Sequence, residues 1–300
     1  MRRTAFSLRW RPTSSSTAGF SLIELLASLF IASIMLTAMA GFFSMSVATR
    51  HNMGEQAEAA QGLRALLSTI TQELRQAGAC LTQVGGQFIA LEGEDNDLQD
   101  SLTLRIGRVD RNTGLCVIDA LTAVANVGDT SVTVGDATKF HMDDRVYITP
   151  TSVSGEFYTV AEAAGTTLTL TSPLVDLNAK YDVGTGVFAL EERTYAIDTS
   201  TYDRPVLTVA LNGGTPQPLV DGVEEFNVRY LLAPCDPDCA ATIDLPADTA
   251  QWWLVAEVAI KATVRSRHVN REGEFVYART GEEGTESEYI IVKPRNFLRA

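Results

Sequence analysis

At 300 residues, 45% hydrophobic and 20% charged, the chain has a globular composition with room for one or two packed domains. Its 24 basic and 37 acidic residues leave −13. Residues 1–19 hold Arg2, Arg3, Arg9 and Arg11 and no acid, so the remainder carries 20 against 37, or −17. A body that acidic repels phosphate backbones, and no nucleic acid is expected as a partner.

Residues 1–19, MRRTAFSLRWRPTSSSTAG, are basic and serine-rich without an apolar run, a polar leader and not the hydrophobic centre of a secretory signal. From Phe20 to Ala48 the sequence is a predominantly apolar run whose single charge is Glu24. This run of residues 20–48 exceeds the roughly 20 residues a helix needs to cross a bilayer, so membrane lipid is its expected environment. The arginines precede the span and Arg50 follows it. The positive-inside bias therefore predicts a single pass through the inner membrane, with the N-terminus cytoplasmic and the bulk outside. Residues 49–78 continue as an amphipathic helix: Leu63, Leu67, Ile70 and Leu74 recur at spacings of four, three and four, and Gly78 supplies a stop. Gly41, Gly54 and Gly62 interrupt this helix, marking either bends or close packing.

Beyond Gly78 the pattern becomes short alternating runs, predicted as strands at 101–107, 130–134, 144–150, 155–160, 166–172, 188–198, 205–211, 223–232 and 252–266. Asn212-Gly213-Gly214 and Val127-Gly128-Asp129 provide turn chemistry between them. The expected fold class is α+β: a long N-terminal helix, its first half transmembrane, packed on a mainly antiparallel β head over 79–300. Residues 120–180, rich in Thr, Val and Gly, read as an inserted β subdomain within that head, with extra strands of one sheet as the alternative.

Four cysteines in a chain that reads as exported are compatible with two disulfides among three possible pairings. The preferred pairs are Cys80 with Cys116 and Cys235 with Cys239, the second bracketing the turn-forming Asp236-Pro237-Asp238. Unpaired thiols and a metal site are the alternatives, although a CxxxC without nearby histidine is weak for zinc. The acidic stretch 92–100 reads as a solvated turn, since Gln99 and Asp100 break the calcium-loop pattern. Trp252-Trp253 reads as a strand pair, one ring inward, with sugar stacking as a lesser alternative. His51, His141 and His268 form no metalloenzyme motif, and no nucleophile elbow, phosphate loop or dinucleotide fingerprint is present. No metal, cofactor or enzymatic activity is expected.

The segment Ala18-Gly19-Phe20-Ser21-Leu22-Ile23-Glu24 carries the chemistry. A small residue before an aromatic lets a membrane protease reach the backbone at the top of a helix. A carboxylate within hydrocarbon needs a partner, and cleavage after Gly19 would create one in the amine of Phe20. Gly19, Phe20 and Glu24 ahead of a long apolar helix resemble the class III signal of type IV pilins and type II secretion pseudopilins. The resemblance implies a type IV pilin-like fold, cleavage by a prepilin peptidase, N-methylation of Phe20 and use of Glu24 in docking. The implied partners are other pilins or pseudopilins along the helix and the inner-membrane assembly platform, with the head moving from periplasm to filament. Segments 71–80, 99–107, 218–230 and 292–298 resemble PilW-type minor pilins and J-type minor pseudopilins, and the insert at 120–180 departs from their compact head. A minor pilin that initiates or decorates a pilus is therefore expected. A secretion pseudopilin and a filament-carried adhesin binding through the insert are the alternatives.

Overall fold

The computed structural model describes residues 21–81, 89–150, 154–175, 181–235, 239–270, 273–281 and 288–296. The leader and the Gly19-Phe20 junction lie outside them. Met1–Asn52 and Met53–Ala300 are separate compact units. Helix α1 spans Leu22–Gln76, within two residues of the expected bounds at either end. The strands that follow are β1 (Leu91–Glu94), β2 (Ser101–Gly107), β3 (Ile118–Ala120), β4 (Ser131–Thr133), β5 (Arg145–Thr149), β6 (Glu156–Ala164), β7 (Thr167–Leu170) and β8 (Gly186–Asp198). Then come β9 (Val206–Leu211), β10 (Gln217–Asp221), β11 (Val223–Cys235), β12 (Cys239–Ile243), a short helix α2 (Thr249–Leu254), β13 (Val255–Val269), β14 (Phe275–Arg279) and β15 (Ile290–Val292). The architecture is α+β, a long apolar helix with antiparallel sheets.

The strands form two sheets. The first runs β1-β2-β8-β5-β6-β7-β4, with β3 and β9 also on β8 and β10 on β9; the second runs β12-β11-β13-β14, with β15 on β13. In β2, Leu102 and Leu104 are fully buried while Ser101 and Thr103 are half-buried, the period-two pattern of a strand with one face on a core. The 13-residue β8 organises the larger sheet. Its first part pairs with β5 and β3, and its second part with β2 and β9. The continuous run Val187-Phe188-Ala189-Leu190 is buried because both faces are covered. Val187 and Ala189 join one apolar cluster, and Phe188 and Leu190 join another with Tyr147 and Ile89.

Residues 120–180 supply β4 to β7. Their side chains, including Leu121, Val134, Val146, Tyr158, Val160 and Leu168, form one apolar cluster together with Val117, Tyr181 and the β8 residues Val187 and Ala189, and β5 is hydrogen-bonded to β8.

The strand expected over 252–266 begins later than predicted. Residues 249–254 are helical, with Asp248 as N-cap accepting the Gln251 N–H at 2.8 Å while Gln251 Oε1 accepts the Ala247 N–H at 2.8 Å. This capping arrangement overrides the β preference of the tryptophans. Both rings are half-buried, and Trp252 packs edge-on against Tyr230 with centroids 5.0 Å apart, so Trp252 serves the core and the pair forms no flat platform on a strand. The acidic stretch is a solvated turn over residues 94–99, all exposed, but its two ends differ from that expectation. Leu91–Glu94 is a strand, and Asp100 is buried, accepting the Val228 N–H at 2.7 Å and the Asn96 N–H at 3.0 Å. Burial pushes the Asp100 carboxyl pKa up, with those two amides acting against it.

Candidate functional site

Glu24 lies in the first turn of α1, and its Oε2 accepts the backbone N–H of Ser21 at 3.1 Å. Ser21 and Glu24 have the S-x-x-E spacing of a capping box, and the glutamate arm of that box is formed. The carboxylate thus satisfies one of the four amides that a helix N-terminus leaves without partners. The amine of Phe20, the partner expected for this carboxylate, lies outside the described residues. Within the described chain the same carboxylate already has an intrachain role.

Along the next turns the large apolar side chains are exposed on every side: Leu22 is 78% exposed, Phe30 67%, Met35 67% and Phe42 71%. Among the described residues α1 is the one helix long and apolar enough to cross a membrane. Its hydroxyl groups suit that setting. Ser28, Ser33, Thr37, Ser44 and Thr49 each donate to a carbonyl three or four residues earlier, at 2.8–2.9 Å, so none presents a free donor to lipid.

From residue 55 onward α1 acquires a buried stripe: Glu55, Ala59, Leu63, Leu66, Ile70, Leu74 and Ala77. Leu66 is fully buried and Leu67 only half, so the stripe runs one residue away from the expected Leu67. Leu66, Ile70 and Leu74 pack with residues of both sheets, including Phe226, Val228 and Ile260. Each such side chain contributes roughly 1.5–3 kcal/mol by leaving water. The glycines separate into two kinds. A Cβ on Gly62 would stand 3.2 Å from Val264 Cγ1 and 3.5 Å from Val220 Cγ1, so the helix lies close against the head there, whereas Gly41 and Gly54 have nothing within 4 Å.

Polar contacts complete the attachment. Glu55 Oε2 accepts the His268 N–H at 3.0 Å. Glu73 receives both the Arg193 guanidinium and the Tyr195 hydroxyl, and Arg193 also binds Glu191. Burial, together with the hydrogen bond and charge of Glu73, raises the Tyr195 pKa well above the ordinary phenol value. Burial works against the charged form of Arg193, but Glu191 and Glu73 outweigh it and raise its pKa. Gly78, at φ +77°, ends the helix in the left-handed conformation and donates to Arg105 O at 3.0 Å. Asn296 Nδ2 donates to the terminal carbonyls of Gln76 and Ala77, both at 3.3 Å. Two residues past Gly78, Cys80 is disulfide-bonded to Cys116, with Cα atoms 5.6 Å apart.

Cys235 and Cys239 stand opposite one another across the β11–β12 hairpin, and their side chains lie outside the described residues. Among the described residues no group of His, Cys, Asp and Glu could hold a metal ion. The Glu73–Arg193–Tyr195 cluster was not legible in the sequence, because Glu73 is 120 residues from Arg193. The S-x-x-E spacing at Ser21 could have been read as a cap but is hidden within the apolar run.

Residues 14–40 match the family model described as the prokaryotic N-terminal methylation motif, the prepilin signal of type IV pilin-like proteins. No curated protein matches the chain. The motif marks a pilin or pseudopilin substrate and not an enzyme family. It implies processing by a prepilin peptidase and assembly with other pilins, and together with the apolar helix it supports anchoring by a single membrane span.

Proposed function

We propose that a chain with this signal acts as a minor, PilW-type pilin that starts or decorates a type IV pilus. Cleavage falls after Gly19, Phe20 becomes the methylated N-terminus, and Glu24 docks the helix beside its neighbours. The observation that carries this reading is the contrast within α1 between an exposed apolar span bearing the motif and a stripe buried under a large β head. The extra strands β4 to β7 over 120–180 support a minor over a major subunit. The type II secretion alternative shares every feature of the N-terminal device. Localisation follows from the same reading: head in the periplasm, then outside the cell with the filament.

Glu24→Ala removes both the charge and the bond to Ser21, whereas Glu24→Gln keeps an acceptor for Ser21 and loses only the charge. Both variants are expected to insert in the membrane, and both to lose incorporation into filaments, scored by immunoblot of sheared pili. Filaments containing the alanine variant at the parental level would overturn the docking role. The pairing of Cys235 with Cys239 belongs to the same reading of an exported head, since the two are register partners of the β11–β12 ladder. Non-reducing peptide mapping should recover the two in one crosslinked fragment.

A further inference from the structure

A cleft of about 780 Å3 opens where the end of α1, the end of β2 with the loop after it, and the 3-10 turn Ala137–Lys139 of the insert meet. Its size lies within the ~300–1,000 Å3 of small-ligand sites, but such sites are mostly apolar and aromatic. Here the walls present the cations of Arg108, Arg111, Lys139 and Arg193 with the amides of Gln76 and Asn112 and the imidazole of His141, and no Phe, Tyr or Trp ring takes part. Four cations face two lining carboxylates, Asp110 and Glu191, in a chain that is −13 overall.

Carboxylates behind the wall hold three of the cations in place. Asp144 lies 2.9 Å from Arg108, Asp119 lies 3.0 Å from Lys139, and Glu73 binds Arg193. These pairs orient the donors without using all of them. Arg108 Nε is buried with no hydrogen-bond partner, and Arg111 makes no ion pair among the described residues. Arg111 is thus the cation of the cleft whose charge is least engaged within the described residues. The walls are fixed in relation to one another, because the Cys80–Cys116 disulfide ties the loop to the residues after α1 and the insert is bonded to β8 through β5.

We propose that this cleft binds an anionic saccharide, with Arg111 and Arg108 receiving its acid groups and Asp110 and Glu191 accepting its hydroxyls. The mixture of donors and acceptors selects the ligand class. Inorganic phosphate or an oligo-aspartate segment would satisfy the cations but offer no hydroxyls to the two carboxylates, Asp110 and Glu191. The site is built jointly by the insert and the main sheet and does not depend on how the helix assembles.

Calorimetric titration of the full-length protein in detergent micelles tests this, with the uronic-acid trimer trigalacturonate as probe. Saturable binding is expected, roughly tenfold or more tighter than that of neutral maltotriose, and weakened about tenfold by Arg111→Ala at an unchanged melting temperature. Arg111→Lys should recover part of the affinity, because it restores the charge without the planar fork. Absence of saturable trigalacturonate binding, equal binding of maltotriose, or full affinity in Arg111→Ala would overturn the proposal. Equal affinity for tetra-aspartate or for inorganic phosphate would overturn the saccharide assignment, replacing it with an acidic-peptide surface in the first case and a simple anion site in the second.

Discussion

Between Leu22 and Val47 the large apolar side chains of α1 stand exposed on every side, whereas between Ala59 and Ala77 they are confined to one buried stripe. The backbone is the same helix throughout. In the first stretch apolar character is spread around the axis, which suits a low-dielectric surround and neighbouring helices. In the second it is concentrated on the face that meets the β head, where Gly62 lets the helix approach Val264 and Glu73 ties it to β8. A helix that serves as both anchor and core element needs both patterns in sequence, and the change from one to the other falls near residues 48–55.

The sharpest way to break this contrast is to make the same substitution in both stretches. Ile70→Ala should destabilise the head by about 2–5 kcal/mol in chemical denaturation, through lost burial and the cavity left behind. Leu29→Ala should leave the head's midpoint unchanged. Equal losses would mean that the first stretch is also packed as core. Next in size, replacing Cys80 and Cys116 together by serine should lower stability by about 3–4 kcal/mol, given the 36-residue loop that the disulfide closes. The same change should loosen the C-terminal end of α1 more than its middle, as amide exchange over residues 72–79 would reveal.

Glu73→Gln tests the polar side of the attachment. It leaves Arg193 and Tyr195 with a weaker acceptor and should cost about 1–3 kcal/mol at neutral pH. The pH dependence has a definite sign. The folded state raises the Tyr195 pKa, so the stability this contributes is complete below the ordinary phenol value of about 10 and is lost as pH rises above it toward the folded value. Melting temperatures should therefore fall from about pH 10 upward. Tyr195→Phe should flatten part of that fall. Tyr230, whose hydroxyl pKa is also raised by burial, should account for a further part. The smallest effect concerns the glycines. Gly54→Ala should stabilise the helix by up to about 1 kcal/mol, and Gly62→Ala should forfeit that gain by pressing on Val264. A matching gain at both positions would mean that the helix does not lie close against the head at Gly62.

Local patterns were legible where one physical cause dominates. Residues 20–48 are apolar enough to demand a membrane, and the Ser101–Gly107 strand alternates because one face is buried. Leu67 gives a four-three-four spacing and Leu66 a three-four-four one, both compatible with one helix face, and only the position of the facing sheets decides that Leu66 turns inward. Trp252 and Trp253 were misplaced because β propensity is weak beside a capping arrangement on Asp248 and Gln251. Asp100 in its acidic stretch looked solvated, but its oxygens are claimed by the Val228 amide 128 residues away.

The amino-acid order by itself determined the anchoring helix with Glu24 near its start and a β-rich head, since hydropathy and periodicity act over neighbouring residues. The tertiary structure alone decided that β8 carries two cores, that Glu73 meets Arg193 and Tyr195, and that the insert and the main sheet enclose a cleft of cations. Those features depend on strand pairing between distant segments, and sequence spacing carries no measure of it.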